Sequence, residues 1–167
     1  MRIAICTLSV LPVLLIITPA LARDLPPLMP SEGKWAITSQ MMPEQKAAMA
    51  NLDATSLAMM KQRGMEIDPK AGTMTMSMCL NKQNIDKWHD AGEASRAKGE
   101  QKCDDPKYSV TGNTLTMDMK CNKPEATIMH SVFQFNAAHD GYSFEHNITT
   151  ARQQMQMKGS AKKIGPC

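Results

Sequence analysis

The sequence has few aromatic residues and little net charge. Among its 167 residues there are three Phe, two Tyr and two Trp, and the formal net charge is +3 at pH 7. Proteins that bind nucleic acids usually concentrate basic residues into a patch, and a charge balance this small gives no indication of one. The composition therefore argues against a nucleic-acid partner, and it leaves most of the core to apolar side chains that are not aromatic.

Recognisable catalytic motifs are also absent. The chain has no Gly-x-Ser-x-Gly elbow, no His-Glu-x-x-His pair, no P-loop and no glycine-rich dinucleotide turn. The four histidines are dispersed along the chain, at His89, His130, His139 and His146. We interpret them as structural or solvated, and we predict a protein that is not an enzyme and needs no cofactor. A pocket that joined His130 or His146 to a carboxylate would argue for an enzyme instead.

One long apolar run is present, at the N-terminus. Arg2 is followed by a largely apolar stretch and then by Ala20-Leu21-Ala22. A charged start, an apolar run and an Ala-x-Ala site are typical of a secretory signal peptide. We predict that residues 1–22 are removed between Ala22 and Arg23, and that the mature protein is periplasmic or secreted. No later run approaches the roughly 20 apolar residues of a membrane span.

Four cysteines remain after this cleavage, at Cys79, Cys103, Cys121 and Cys167. An even number of cysteines in an exported chain favours disulfides, and four cysteines allow three pairings. We expect Cys79 to pair with Cys103 and Cys121 with Cys167, because the first bond brackets one insert and the second would pin the C-terminal tail. The competing interpretation, a structural zinc site, calls for closely spaced ligands such as Cys-x-x-Cys, which the sequence lacks.

The mature chain divides into a short lead-in and one domain. Residues 23–32 are rich in proline and apolar side chains, which predicts an extended segment, and residues 33–167 have the length of a single domain. A strand is predicted from Gly33 to Met42, followed by one amphipathic helix from Pro43 to Arg63. The segment from Gly72 to Cys79 alternates methionine with threonine or serine, as a strand with two different faces does.

A hairpin is predicted around Gly112-Asn113, which are suitable residues for a two-residue turn. This turn pairs Tyr108 with Met117 and Val110 with Leu115, so that apolar side chains share one face. Cross-strand pairs that match in chemistry in this way indicate an antiparallel ribbon with one face buried.

A second hairpin is predicted with its turn at Asp140-Gly141. This register pairs Phe133 with Ile148 and puts His130 and His146 on opposite faces, which argues against a His–His metal pair. Consecutive strands joined by tight turns predict a mainly β (α+β) fold. We expect a single antiparallel meander sheet or a small open barrel, with one or two helices and two disulfides.

Methionine is unusually abundant, with 16 copies in the chain. The bland interpretation is that methionine replaces other apolar residues as an adaptable core filler, which needs no ligand. The sharper interpretations are a thioether site for a soft ion such as Cu(I), or sacrificial oxidation of methionine to its sulfoxide. The candidate metal ligands are Met74, Met76, Met78, Met117 and Met119, with Met155 and Met157 as further neighbours.

The order of several short motifs resembles that of a known family. The motifs are Gly33-Lys34-Trp35, Met76-Ser77-Met78-Cys79-Leu80, Cys103, Gly112-Asn113-Thr114, Cys121 and Ile164-Gly165-Pro166-Cys167. Together they are similar to the bacterial exported domain-of-unknown-function family numbered three-six-one-seven. The resemblance implies a bacterial periplasmic or secreted location, a β-rich domain and paired cysteines. It implies no established activity, so no catalytic residue is carried over.

These observations predict a non-enzymatic binding or structural domain of the cell envelope. Its partner is expected to be another envelope protein or a small molecule, with no membrane-spanning segment left after cleavage. The alternative is a methionine-rich protein that binds Cu(I) or Ag(I) or scavenges oxidants. Replacing methionine by leucine separates the two, because leucine roughly conserves volume but removes the thioether.

Overall fold

The computed structural model describes residues 26–49, 51–89 and 102–167. The predicted signal peptide, residues 1–22, lies outside these ranges. Within them, no helix is long and apolar enough to cross a membrane. Stretches in which apolar and polar side chains alternate form nine strands. The strands are β1 (Gly33–Gln40), β2 (Met65–Asp68), β3 (Thr73–Leu80), β4 (Lys102–Cys103), β5 (Lys107–Thr111), β6 (Thr114–Lys123), β7 (Thr127–Phe135), β8 (Gly141–Thr150) and β9 (Gln154–Gly165).

All nine strands belong to one antiparallel sheet. Their order across the sheet is β2, β3, β1, β9, β8, β7, β6 and β4, and β5 also pairs with β6. From β6 to β9 the strands follow one another as a meander, as short connections favour. The first strand departs from this pattern, because β1 lies between β3 and β9. The prediction of a mainly β, antiparallel fold is confirmed, and the sheet is open.

The predicted helix from Pro43 to Arg63 is interrupted in the structure. It forms two helices, α1 (Pro43–Met49) and α2 (Ala54–Gln62). Asp53 is the N-cap of α2, and its Oδ1 accepts a hydrogen bond from the backbone N–H of Ser56 at 2.7 Å. A carboxylate at this position satisfies a donor that the first helical turn leaves unpaired, so it favours a new helix start. Neither helix buries a residue, and α2 lies beside β2.

The hairpin of β2 and β3 contains a strand that the sequence patterns did not predict. Met65 of β2 faces Met76 of β3. The turn is held by Asp68, whose Oδ1 accepts hydrogen bonds from the backbone N–H groups of Lys70 at 3.0 Å and Ala71 at 2.9 Å. A strand of four residues is too short for its alternation to be distinguished from the neighbouring loop.

The first predicted hairpin has the predicted register. Tyr108 of β5 faces Met117 of β6, and Val110 faces Leu115. Gly112 in the turn has a φ of 58°, a left-handed conformation that glycine adopts without a steric cost. The local turn chemistry was therefore sufficient to set the pairing of these two strands.

The second predicted hairpin has a different register. Phe133 of β7 faces Phe144 of β8 instead of Ile148, because the loop between the strands begins earlier than expected. The side chain of Asn136 closes this loop, its Oδ1 accepting a hydrogen bond from the backbone N–H of Asp140 at 3.1 Å. Since the register moves by an even number of residues, every side chain keeps its predicted face.

The predicted disulfide pairing is wrong, although all four predicted cysteines form disulfides. Cys79 is bonded to Cys167, and Cys103 is bonded to Cys121. Cys103 and Cys121 face each other across β4 and β6. In the other half of the sheet, Lys34 of β1 faces Cys79 of β3. The opposite edge of β1 pairs with the end of β9, which brings the C-terminus close to Cys79. The pairing follows from the position of β1 between β3 and β9, which separation along the chain does not reveal.

The lead-in is tied to the sheet before β1 begins. The backbone N–H of Ser31 donates to the carbonyl of His139 at 2.9 Å, and Nδ1 of His139 lies 3.1 Å from the carbonyl oxygen of Met29. The indole N–H of Trp35 donates to the carbonyl of Ser31 at 2.9 Å. Leu28 and Met29 then pack against the core. Residues 26–32 of the predicted lead-in form neither helix nor strand, and through these contacts they are part of the packed structure.

We predict that the Cys79–Cys167 bond contributes more stability than the Cys103–Cys121 bond. The two bonds span 88 and 18 residues. The chain-entropy model then assigns them roughly 4.5 and roughly 3 kcal/mol, respectively. Urea denaturation of the two paired Cys→Ala variants measures both values. The opposite order of stabilities would contradict this account.

Gly159 of β9 is a position where a side chain does not fit. It faces Phe144 of β8, and on its other side it faces Ser39 of β1. A Cβ atom at Gly159 would collide with the ring of Phe144 and with the backbone carbonyl of Thr38. The ring has some freedom to turn, but the carbonyl belongs to the β1 backbone. Glycine therefore allows three strands to approach closely at the centre of the sheet.

We predict that Gly159→Ala lowers the free energy of unfolding by about 1 to 3 kcal/mol, because it overpacks a closely packed site. Chemical denaturation of the oxidised protein measures the change. Ser160→Ala is the matched control, since Ser160 is the next residue on the strand and is exposed on the opposite face. Its effect should stay within about 0.5 kcal/mol. Equal effects of the two substitutions would show that the close approach is not needed.

Candidate functional site

The two faces of the sheet differ in polarity. Side chains alternate along each strand, so each face collects every second residue. The outer face carries exposed charged side chains, among them Lys34, Asp118 and Lys158. We call the opposite face, which carries Trp35, Phe133 and the rest of the buried core, the inner face. An apolar sheet face has to be covered by a second layer, so what covers the inner face decides what the protein can bind.

Aromatic rings fill the centre of the inner face and are covered. The buried rings are those of Trp35, Phe133, Phe135, Tyr142 and Phe144. Trp88 packs edge-on against three of them, with ring centroids 4.7 Å from Phe133, 5.4 Å from Phe135 and 5.0 Å from Tyr142. The indole N–H of Trp88 is itself buried and has no hydrogen-bond partner among the described residues. We call these rings, with Trp88, the aromatic centre.

Methionines lie at two margins of the inner face and are only partly covered. The edge group, on β2 and β3, consists of Met65, Met74 and Met76, and the end group, on β6 to β9, consists of Met119, Met129, Met155 and Met157. Met65 faces Met76, and Met119 faces Met129, across neighbouring strands. Met76 is 40% exposed, and the other members are partly exposed. The two groups are apolar surfaces that water reaches.

The predicted metal candidates are distributed over separate places. Met74, Met76 and Met78 share the inner side of β3, whereas Met117 and Met119 lie on β6. Four strands lie between β3 and β6, so the two are five interstrand steps apart, which at about 4.8 Å per step is roughly 24 Å across the sheet. Met117 is buried in the core. The five residues therefore do not converge, and no cluster of three His, Cys, Asp or Glu side chains suited to a metal occurs in the described part of the chain.

His130 and His89 each contact a different side chain, and the two pairs lie apart from each other. On the outer face, Nδ1 of His130 lies 2.7 Å from Oδ1 of Asp118, and both side chains are well exposed. Nε2 of His89 lies 2.8 Å from the hydroxyl of Tyr108. A histidine and a carboxylate thus meet on an exposed strand surface. Whether the protein lacks catalytic activity stays a prediction.

His146 of β8 lies on the inner face, opposite in direction to His130, as predicted. Its Nδ1 is 2.8 Å from Oγ of Ser131, and Ser131 is fully buried. The rings of Phe133 and Phe144 flank the imidazole, with centroids 5.4 and 5.0 Å away. Burial lowers the pKa of His146 below its ordinary value of 6.5, so the imidazole is neutral at neutral pH. Because Ser131 is sealed from solvent, this pair is not placed as a nucleophile and base.

Three residues of the inner face were not recognised as part of a site from the sequence. Met65 belongs to the short strand that was not predicted. Met129 lies in a stretch where apolar residues occur on both faces, so its side was ambiguous. His146 was interpreted as structural or solvated, although the alternation of Phe144, His146 and Ile148 does place it on an apolar face. Its neighbours on β9 could not be predicted, because they depend on how two separate strands pair.

The described chain is therefore a disulfide-linked, antiparallel sheet protein with an apolar face that its own elements cover only in part. The family described as Protein of unknown function (DUF3617) matches residues 30–167, and the chain belongs to this family, as the resemblance predicted. Comparison with curated proteins and with solved structures found no match. The family description assigns no activity, and the partly covered inner face is the feature of this chain that is suited to binding.

We predict that His146 makes the protein less stable in mildly acidic solution. Its pKa is lower in the folded protein than the ordinary value of 6.5, so the unfolded chain takes up protons first as the pH falls. The stability contributed by the neutral imidazole is complete above pH 6.5 and is lost as the pH falls towards the folded-state pKa. Denaturation curves from about pH 7.5 to about pH 5 measure this loss.

The matched variants are His146→Gln and His130→Gln. The first should flatten the pH dependence, because the buried titrating group is gone. The second should keep it, because His130 is exposed on the outer face. An unchanged pH dependence in His146→Gln would contradict the assignment.

Proposed function

We propose that this protein is an exported, non-enzymatic binding domain of the bacterial envelope, and that its ligand is an uncharged apolar chain such as an acyl chain. The observation that carries the proposal is the partly uncovered edge group on the inner face. Met76 is 40% exposed, and Met65 and Met74 are partly exposed beside it. An apolar chain laid along these residues would remove apolar surface from water, at about 25 cal/mol per Å².

The described part of the chain leaves the edge group only partly covered. The helices α1 and α2 contain no fully buried residue, and Leu57 and Met60 of α2 are only partly buried. In sequence, residues 90–101 contain no apolar side chain larger than alanine. Trp88, Leu28 and Met29, which do pack on the inner face, belong to the core around the aromatic centre. These observations favour a separate molecule as the cover of the edge group.

The chemistry of the edge group favours an uncharged ligand. Met76 faces Ile37 on β1, and Met74 faces Ile67 on β2 and Ser39 on β1, so the cross-strand neighbours are uncharged and mostly apolar. Burying an unpaired charge against such a surface would be costly. Methionine is unbranched and polarisable, so a methionine surface adapts to ligands of different shape. A flexible apolar chain fits this surface better than a charged or rigid ligand.

The cysteines support the exported location. Both cysteine pairs among the described residues are disulfides, and such bonds persist in oxidising compartments such as the bacterial periplasm. The predicted signal peptide, residues 1–22, would direct the chain there. Hydrophobic envelope components have to cross an aqueous space in that compartment, and an adaptable apolar face is suited to holding them.

We predict that the oxidised mature protein binds a monoacylglycerol with a fluorescent acyl chain, and that Met76→Glu weakens this binding at least about tenfold. The carboxylate would be placed against the apolar chain without a partner. Fluorescence titration measures the affinity. Ser77→Glu is the matched control, because Ser77 is the adjacent residue, is exposed and lies on the outer face. Met76→Leu should retain the affinity, since it conserves volume and polarity.

Two results would count against the proposal. One is the absence of binding by the unmodified protein. The other is an equal loss of affinity in Met76→Glu and Ser77→Glu, which would mean that negative charge near β3, rather than the edge group, controls the binding.

A further inference from the structure

The end group meets His146 on neighbouring strands. Met157 of β9 is the direct cross-strand partner of His146, and Met155 is the next residue on the same side of β9. On β7, His146 faces Ser131, and Met129 is the next residue on that side. Directly opposed side chains have Cβ atoms about 5 Å apart, and diagonal neighbours are about 7 to 8 Å apart, within reach of long side chains. Three thioethers can therefore converge on one imidazole.

The imidazole of His146 is held in a way that suits a metal ligand. Its Nδ1 is 2.8 Å from Oγ of Ser131, and Nε2 makes no hydrogen bond to any described residue. Histidines that bind metals usually donate their other ring N–H to a fixed acceptor, which leaves the second nitrogen with its lone pair. The rings of Phe133 and Phe144 keep the imidazole in place. Ligand binding would select the tautomer in which Nδ1–H donates to Ser131.

The charges around this place favour a soft monovalent ion. Glu145, the neighbouring carboxylate in the chain, lies on the outer face and pairs with Lys158 at 3.2 Å. A hard divalent cation prefers carboxylate and other oxygen ligands, and the inner face offers none beside His146. Thioethers select soft ions such as Cu(I), and imidazole binds copper readily. A mixed set of imidazole and thioethers is therefore suited to Cu(I) or to Ag(I), which has the same softness.

We propose that His146, Met157 and Met129 bind one Cu(I) or Ag(I) ion on the inner face, with Met155 as a further ligand. Sδ of Met155 accepts a hydrogen bond from Gln153 at 3.2 Å, which it would exchange for the ion. This site is centred on a histidine and lies on β7, β8 and β9. It does not include β3, whose methionines were among the candidate ligands predicted from the sequence. It does not depend on the apolar ligand proposed for the edge group.

The experiment is an anaerobic Cu(I) titration of the oxidised mature protein in competition with a chromogenic Cu(I) chelator. The unmodified protein should bind one ion per chain. The paired substitution Met129→Leu with Met157→Leu should weaken binding at least about 100-fold, because it removes two thioether ligands while conserving volume. The matched control is Met74→Leu with Met76→Leu in the edge group, which lacks an imidazole. It should change the affinity by less than about threefold.

A second measurement tests the imidazole directly. Titration with Ag(I), which stays monovalent, should shift the NMR signals of the His146 ring in the unmodified protein and leave those of His130 unchanged. His146→Phe, which places a ring among rings, should abolish Cu(I) binding. Zn(II) should not bind to any of the variants, because the site lacks the ligands that zinc prefers.

Several outcomes would overturn the proposal. These are no Cu(I) binding by the unmodified protein, equal losses from the end-group and edge-group substitutions, or full binding by a folded His146→Phe. If His146→Phe does not fold, the absence of an Ag(I)-induced shift in the His146 signals of the unmodified protein would overturn the proposal instead. Monoacylglycerol binding by the Met129→Leu, Met157→Leu variant shows whether the function proposed for the edge group holds independently.

Discussion

A single antiparallel sheet with one apolar face has to cover that face, and the shape of this protein depends on how this is achieved. Among the described residues, Trp88 and the short lead-in pack on the core as a second layer. They suffice for the aromatic centre, where the rings of Trp35 and Phe133 are buried. The margins stay partly open, and there the chain places methionine, whose flexible side chain adapts to whatever lies against it.

The strand β1 connects the hairpin of β2 and β3 to the meander of β6 to β9. It lies between β3 and β9, so the first strand of the domain joins elements that are far apart in the sequence. The Cys79–Cys167 bond reinforces the same junction at one end. Gly159 reinforces it at the centre, because the absence of a side chain allows β1 and β8 to approach β9 closely. The exposure of the edge group follows from this arrangement, since β2 and β3 lie outside β1 and the described residues place no further strand beyond β2.

The two methionine groups have the same composition but different neighbours. The edge group has uncharged cross-strand neighbours such as Ile37 and Ser39, which leaves packing as its main capability. The end group adjoins His146, whose neutral imidazole adds a nitrogen donor to the thioethers. Thioethers serve both as adaptable apolar surface and as soft ligands, so neighbouring residues decide which property is used. One residue type can thereby support two kinds of binding on one sheet.

The sequence by itself determined what depends on local chemistry. Alternation of side chains predicted the β strands, the turn at Gly112 predicted one register, and the order of short motifs predicted the family. The register beyond Phe133, the cysteine pairing and the neighbours of His146 were decided only by the tertiary structure. These features depend on which strands lie side by side. Strand order is set by contacts between residues far apart in the chain, and local sequence patterns contain no information about such contacts.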